Sequence, residues 1–149
     1  MNEFLTRAVE LAKQNVEEGG HPFGAVLVKD GCVISEGVNE LHLYYDVSAH
    51  AEMVAVRRAQ ERLENDDLSD CTMYASGEPC PMCFGVMQFA GIIDIHFAET
   101  VEEAYEVGLT KGKEIYEELK VPKEKRSYPM SHHPLGGETA MRRFEKRNS

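Results

Sequence analysis

Two short stretches of the chain carry residue types that bind metals and move protons: His50-Ala51-Glu52 and, thirty residues on, Pro79-Cys80-Pro81-Met82-Cys83. Cys80 and Cys83 are three apart, so at a helix start both sulfurs can reach one ion. Zinc takes four tetrahedral ligands drawn from thiolate, imidazole and carboxylate. Each cysteine must be deprotonated to bind, and a helix N-terminus together with the metal favours the thiolate. His50, at the start of another helix, supplies a third ligand. With no fourth protein ligand the remaining position belongs to water, and an open position separates a catalytic zinc from a structural one. Zinc lowers the pKa of bound water toward neutrality. Glu52, two residues beyond His50, need not point at the metal, and its carboxylate can take the water's proton and return it to a leaving group.

Taken singly, the motifs say less. A lone Cys-x-x-Cys is by default a redox pair or a structural zinc site, and a lone His-Ala-Glu is ordinary helix surface. Their joint occurrence favours a hydrolytic centre over both. A purely structural site wants a fourth Cys or His. His42 and His96 are the nearest extra candidates, and both read as decorating a loop or strand. Cys32 and Cys71 lie in strand-like stretches and read as small buried apolar residues.

The elements that must position these groups follow from hydrophobic spacing. Phe4, Leu5, Ala8, Val9, Leu11, Ala12 and Val16 recur at helical intervals over 2–18, and Gly19-Gly20 ends that helix. Residues 24–29 and 32–38 are β-rich and joined by Asp30-Gly31, a strong hairpin signal. A second helix is expected from Ser48 or Ala49 to about 63, and a third strand over 71–75. Pro79 or Pro81 suits a first helical turn, so a third helix runs from 80 to about 89. A fourth strand is expected over 92–98, helical segments over 101–107 and 113–119, irregular chain over 127–137 and a short last helix over 138–146. Helices alternating with strands after an opening hairpin predict a mixed sheet covered on both faces, a three-layer α/β/α sandwich.

These residues, with Pro22-Phe23-Gly24-Ala25-Val26, Glu36-Gly37-Val38-Asn39 and Glu78 ahead of Pro79, resemble the cytidine/deoxycytidylate deaminase superfamily, marked by H-x-E followed by P-C-x-x-C. Within it the chain is most similar to the short bacterial guanine deaminases, over nearly its whole length and down to 140–146 with Phe144. The resemblance implies a cytidine deaminase-like α/β fold with about five strands in its sheet. It also implies a Zn2+-dependent hydrolytic deamination of a nucleobase or nucleoside, with guanine to xanthine and ammonia as the leading reaction. By position, Asn39 hydrogen-bonds a ring carbonyl or ribose, Phe23 walls the base, and Gly24-Ala25 let backbone approach it. The backbone of Ala51 and Glu78 meets the substrate's polar edge. The resemblance further implies a homodimer, with 127–149 as a tail of the single domain 1–149 that covers the active site or exchanges between subunits. One departure stands out. Guanine deaminases of this type carry an acid shortly after the glycine matching Gly108, whereas here Leu109-Thr110-Lys111 follow and Glu114 is the first acid. Glu114, or a tail group such as His132, is then the candidate for a second proton transfer or a lid, and His133 beside it is a further unfamiliar feature.

Composition narrows the partners. A length of 149 residues with 42 % hydrophobic content suits one soluble domain. No apolar stretch is long enough to span a bilayer, and Glu3, Arg7 and Glu10 interrupt any signal peptide, so a cytoplasmic location is expected. The net charge of −10 disfavours a nucleic-acid footprint, which needs clustered Lys/Arg. The basic runs 120–126 and 142–147 are interrupted by Glu and read as solvated helix ends. That charge argues against a tRNA adenosine deaminase, as does Pro81 between the cysteines. A non-enzymatic zinc module would leave Glu52 without a purpose.

Overall fold

The structure, a computed structural model, describes residues 2–148. The chain divides into two compact units, Met1–Glu117 and Glu118–Ser149, a boundary that falls earlier than the tail expected from 127.

The first unit opens with α1 (Glu3–Glu17). Asn2 caps it, its side-chain oxygen accepting from the amides of Phe4 and Leu5, and Gly19 at φ +94° turns the chain away at the other end. The hairpin β1 (Gly24–Lys29) and β2 (Cys32–Val38) follows. Asp30 and Gly31 join the strands with φ of 52° and 75°, the paired left-handed conformations of a two-residue hairpin turn. Next come α2 (Ala51–Leu63), β3 (Cys71–Gly77), α3 (Pro81–Phe89), β4 (Asp94–Glu99), α4 (Val101–Glu106) and α5 (Lys111–Lys120). The sheet order is β2-β1-β3-β4, with β1 antiparallel to β2 and β3, and β3 parallel to β4. The sheet is therefore mixed, as expected.

It has four strands among the described residues and not the expected five. After β4, Thr100 and Glu103 form a reciprocal capping box that starts α4. The following Lys- and Glu-rich stretch continues as α5, because such straight-chain residues favour helix over strand.

Strand alternation builds the three layers. Ala25 and Leu27 of β1 point into the larger core with Ala51, Ala55 and Val56 of α2 and Cys83 and Met87 of α3. Val26 and Val28 point the opposite way, against Ala8 and Leu11 of α1. A strand buried on both faces reads as the continuous apolar run seen in β1. Both helices facing the hairpin come in close because glycine stands beneath them. A Cβ on Gly24 would lie 2.3 Å from the Ala8 carbonyl oxygen, and one on Gly37 would lie 2.3 Å from that of Ala51.

Of the two cysteines expected in the core, Cys71 is buried but Cys32 is exposed. Cys32 is the first residue of an edge strand, beside the hairpin turn. His42 lies in a turn and His96 in β4, where its ring stacks on Tyr74 at 5.1 Å. No helix among the described residues is long and apolar enough to cross a membrane.

The second unit holds a 3-10 turn (Lys123–Lys125) and α6 (Ala140–Arg147). Within it Arg126 donates to the Val121 carbonyl and the Ser127 amide to the Glu118 carboxylate. Thr139 caps α6, none of whose residues is buried.

Candidate active site

Two helix starts present the metal-binding groups. His50 is the N-cap of α2 and Cys80 the N-cap of α3, neither side chain makes a capping hydrogen bond, and both are half-buried. Pro81 occupies the first position of α3, where its fixed φ suits the helix and its missing N–H costs nothing. Cys83, one turn on, returns to the same side. His50 Nδ1 lies 3.4 Å from Cys80 Sγ and 3.6 Å from Cys83 Sγ. All three donor atoms fall within 4.8 Å of one another, and among the described residues neither His42 nor His96 joins them.

The group's electrostatics fit a cation. The Cys80 thiol is pushed down to about 4, first by the hydrogen bond from Cys83 and then by that to His50. Cys83 is pushed up by the same bond and by burial. His50 is raised by its hydrogen bond to Cys80. A divalent cation reverses this order and takes both sulfurs as thiolates. Two thiolates and an imidazole suit zinc and other borderline-soft ions, whereas magnesium and calcium prefer oxygen.

Glu52, in the first turn of α2, is only 6 % exposed. Burial pushes its carboxyl up to about 7. It shares with His50 and Cys80 the wall of a cavity of about 490 Å³. Phe23, Asn39 and Glu78 line the same cavity. The Phe23 ring is seated against Gly77, whose missing side chain makes room for it. Asn39 is buried, and its side-chain oxygen accepts from the Leu41 amide in a local turn. Its amide nitrogen remains the atom that can donate to a guest. Asn15 holds this corner together by donating to the main-chain oxygens of both His21 and Asn39. The Glu78 carboxylate accepts from the Val101 amide, which ties the start of α4 to the cysteine loop.

Gly24 is closed over by α1, and Ala25 and Ala51 are fully buried in the core, so none of the three lines the cavity. Glu114 is also absent from the lining and pairs at the surface with Lys111 at 3.8 Å. His132 and His133 belong to the second unit and are exposed. Sequence reasoning missed the opposite wall, where Leu109, Thr110, Lys111, Gly112, Lys113 and Ile115 face the cavity. The departure after Gly108 was the signal, since it marked this loop without saying where it folds. α5 also brings Tyr116 to the metal loop, its hydroxyl donating to the Pro79 carbonyl and its phenol pushed up to about 12 by burial.

Residues 1–99 match the family model of the cytidine and deoxycytidylate deaminase zinc-binding region. The guanine deaminase of Bacillus subtilis is 44 % identical over 127 residues, 85 % of this chain and 81 % of that protein. The crystal structure of a Bacillus subtilis guanine deaminase superposes with a TM-score of 0.88 at 40 % identity, covering 100 % of this chain and 96 % of that one. The tRNA-specific adenosine deaminase of Aquifex aeolicus is 38 % identical over 95 residues, 64 % of this chain and 63 % of that protein. A solved complex with 2,6-diaminopurine matches at a TM-score of 0.67 and 30 % identity, over 70 % of this chain and 59 % of that one. With the His-Cys-Cys cluster, the buried glutamate and the mixed four-stranded sheet in place, this chain belongs to the cytidine and deoxycytidylate deaminase family.

Proposed function

We propose that the chain is a guanine deaminase, adding water to guanine and releasing xanthine and ammonia. The observation that carries this reading is the shared cavity. His50 and Cys80 of the donor group and the buried carboxyl of Glu52 open into one space, walled by Phe23 and Asn39. The near full-length likeness to guanine deaminase supports the choice of base.

Zinc held by His50, Cys80 and Cys83 would supply Lewis-acid activation of water at neutral pH. The chain's own groups do the rest. Glu52 takes one proton from the attacking water to the ring nitrogen, then carries the second, from the hydroxyl now on the attacked carbon, to the departing amine as that carbon becomes a carbonyl, so the proton count closes on xanthine and ammonia. Phe23 holds the ring plane and the Asn39 amide nitrogen donates to a ring carbonyl. The apolar share of the wall, including Leu41, Val101, Ala104 and Ile115, reduces access of bulk water.

The test is ammonia release from guanine, cytosine, adenine, isocytosine, their nucleosides and a tRNA anticodon stem, with zinc content measured on the same sample. Guanine turnover with matching xanthine is expected. Brisk release from another substrate with none from guanine overturns the base assignment. No release from any, in zinc-loaded protein, overturns the enzymatic reading.

A further inference from the structure

We propose that Tyr116 is a positioning residue for the metal, its hydroxyl fixing the Pro79 peptide and through it the Cys80 sulfur. The inference rests on the reading of His50, Cys80 and Cys83 as a zinc site. The cysteine loop has few main-chain anchors of its own. Pro79 and Pro81 flank Cys80 and neither has an N–H to donate. Beyond the Glu78 amide, which donates to the Glu99 carbonyl at 2.6 Å, the stretch around Cys80 is held by its carbonyls. On the helix side the Cys80 carbonyl accepts from the Phe84 amide at 2.9 Å. On the other side the Pro79 carbonyl accepts from the Tyr116 hydroxyl at 2.5 Å. These two bonds grip the peptides on both sides of the Cys80 Cα, and so fix the direction in which its Cβ and sulfur project.

α5 is built to deliver that hydroxyl. Gly112 lies one turn before Tyr116 and so shares its helix face. A Cβ on Gly112 would meet the Cys80 Cβ at 3.5 Å, so this face of α5 runs directly along the metal loop. The same helix lends Gly112, Lys113 and Ile115 to the cavity wall. Tyr116 itself does not line the cavity, which separates its task from substrate contact.

The experiment uses the full chain loaded with one equivalent of zinc and follows transfer of the metal to a chromophoric chelator. Loss of an outer partner of a metal ligand costs roughly 10–100-fold in metal affinity. Tyr116→Phe is expected to release zinc at least about 10-fold faster than wild type. The metal-free variant should melt as the metal-free wild type does, and kcat should return to the wild-type value at saturating zinc. Gly112→Ala, which adds an ordinary contact and keeps the hydroxyl, is expected to release zinc at the wild-type rate. Wild-type release from Tyr116→Phe overturns the proposal, as does a kcat that stays low under saturating zinc. Should Tyr116→Phe fail to fold, Tyr116→His keeps a ring with an N–H donor: slow, wild-type-like release supports the proposal, and fast release from a folded His variant overturns it. A wild-type chain that retains no zinc overturns the metal reading instead, which keeps the two failures apart.

Discussion

Glu52 places its carboxyl beside two sulfurs and an imidazole under almost complete burial, and desolvation brings its proton affinity close to neutrality. General acid–base groups work best when their pKa lies near the working pH. Glu52→Gln keeps the shape and the burial but cannot carry a proton. Turnover should fall by roughly 10²–10⁴-fold while zinc content stays at the wild-type level. Steady-state rates alongside metal analysis check this, and near wild-type turnover would remove the assigned role. Cys83→Ala separates the other way. It deletes a fully buried donor, so zinc content and the thermal midpoint should fall together. Metal analysis and a melting curve read both, and full zinc occupancy in the variant would exclude Cys83 as a ligand.

Elements decide how closely these residues approach. Gly37 lets β2 lie against the first turn of α2, the turn that carries Glu52 and begins at His50. In Gly37→Ala the new methyl would stand 2.3 Å from the Ala51 carbonyl oxygen and 2.8 Å from the Ala55 amide nitrogen, both backbone. Overpacking of this kind costs about 1–3 kcal/mol. Displacement of α2 should also lower activity beyond the loss of stability. Gly85, inside α3, is the opposite case, because a Cβ there meets nothing within 4 Å. Gly85→Ala should stabilise the fold by about 0.5–1 kcal/mol through helix propensity alone. Denaturant titrations of the two variants should move the midpoint in opposite directions, and a shared direction would show that these contacts do not set the strand–helix spacing.

At the scale of the molecule, apolar surface is left over. Phe89 is 96 % exposed and Ile93 is 89 % exposed, close in sequence at the end of α3 and the entry to β4, with Phe84 and Phe97 also exposed on those two elements. Among the described residues β4 is an edge strand, so its outer ladder lacks a partner in the sheet. Large exposed apolar patches mark association sites, and a homodimer is the form we expect. Light scattering at micromolar concentration should give twice the chain mass. Ile93→Lys should shift the sample toward the monomer. A monomeric wild type would leave this face without the role assigned to it.

What the sequence determined by itself was everything local. The Asp30-Gly31 turn, the two strands it joins, the i and i+3 cysteines and a proline-led helix start at Pro79 or Pro81 are each written within a few residues, where propensity and spacing dominate. The pairing of His50 with Cys80 came from ligand chemistry and resemblance, since no spacing rule links residues thirty apart. Only tertiary structure decided the rest. Gly24 answers to the close approach of α1, which its own strand cannot announce. Cys32 is exposed because its strand became an edge, a property of sheet order. The wall formed by 109–115, and the Tyr116 hydroxyl on Pro79, depend on where α5 comes to rest. A polar amphipathic helix carries a pattern that says which side faces inward, but not which loop it will meet.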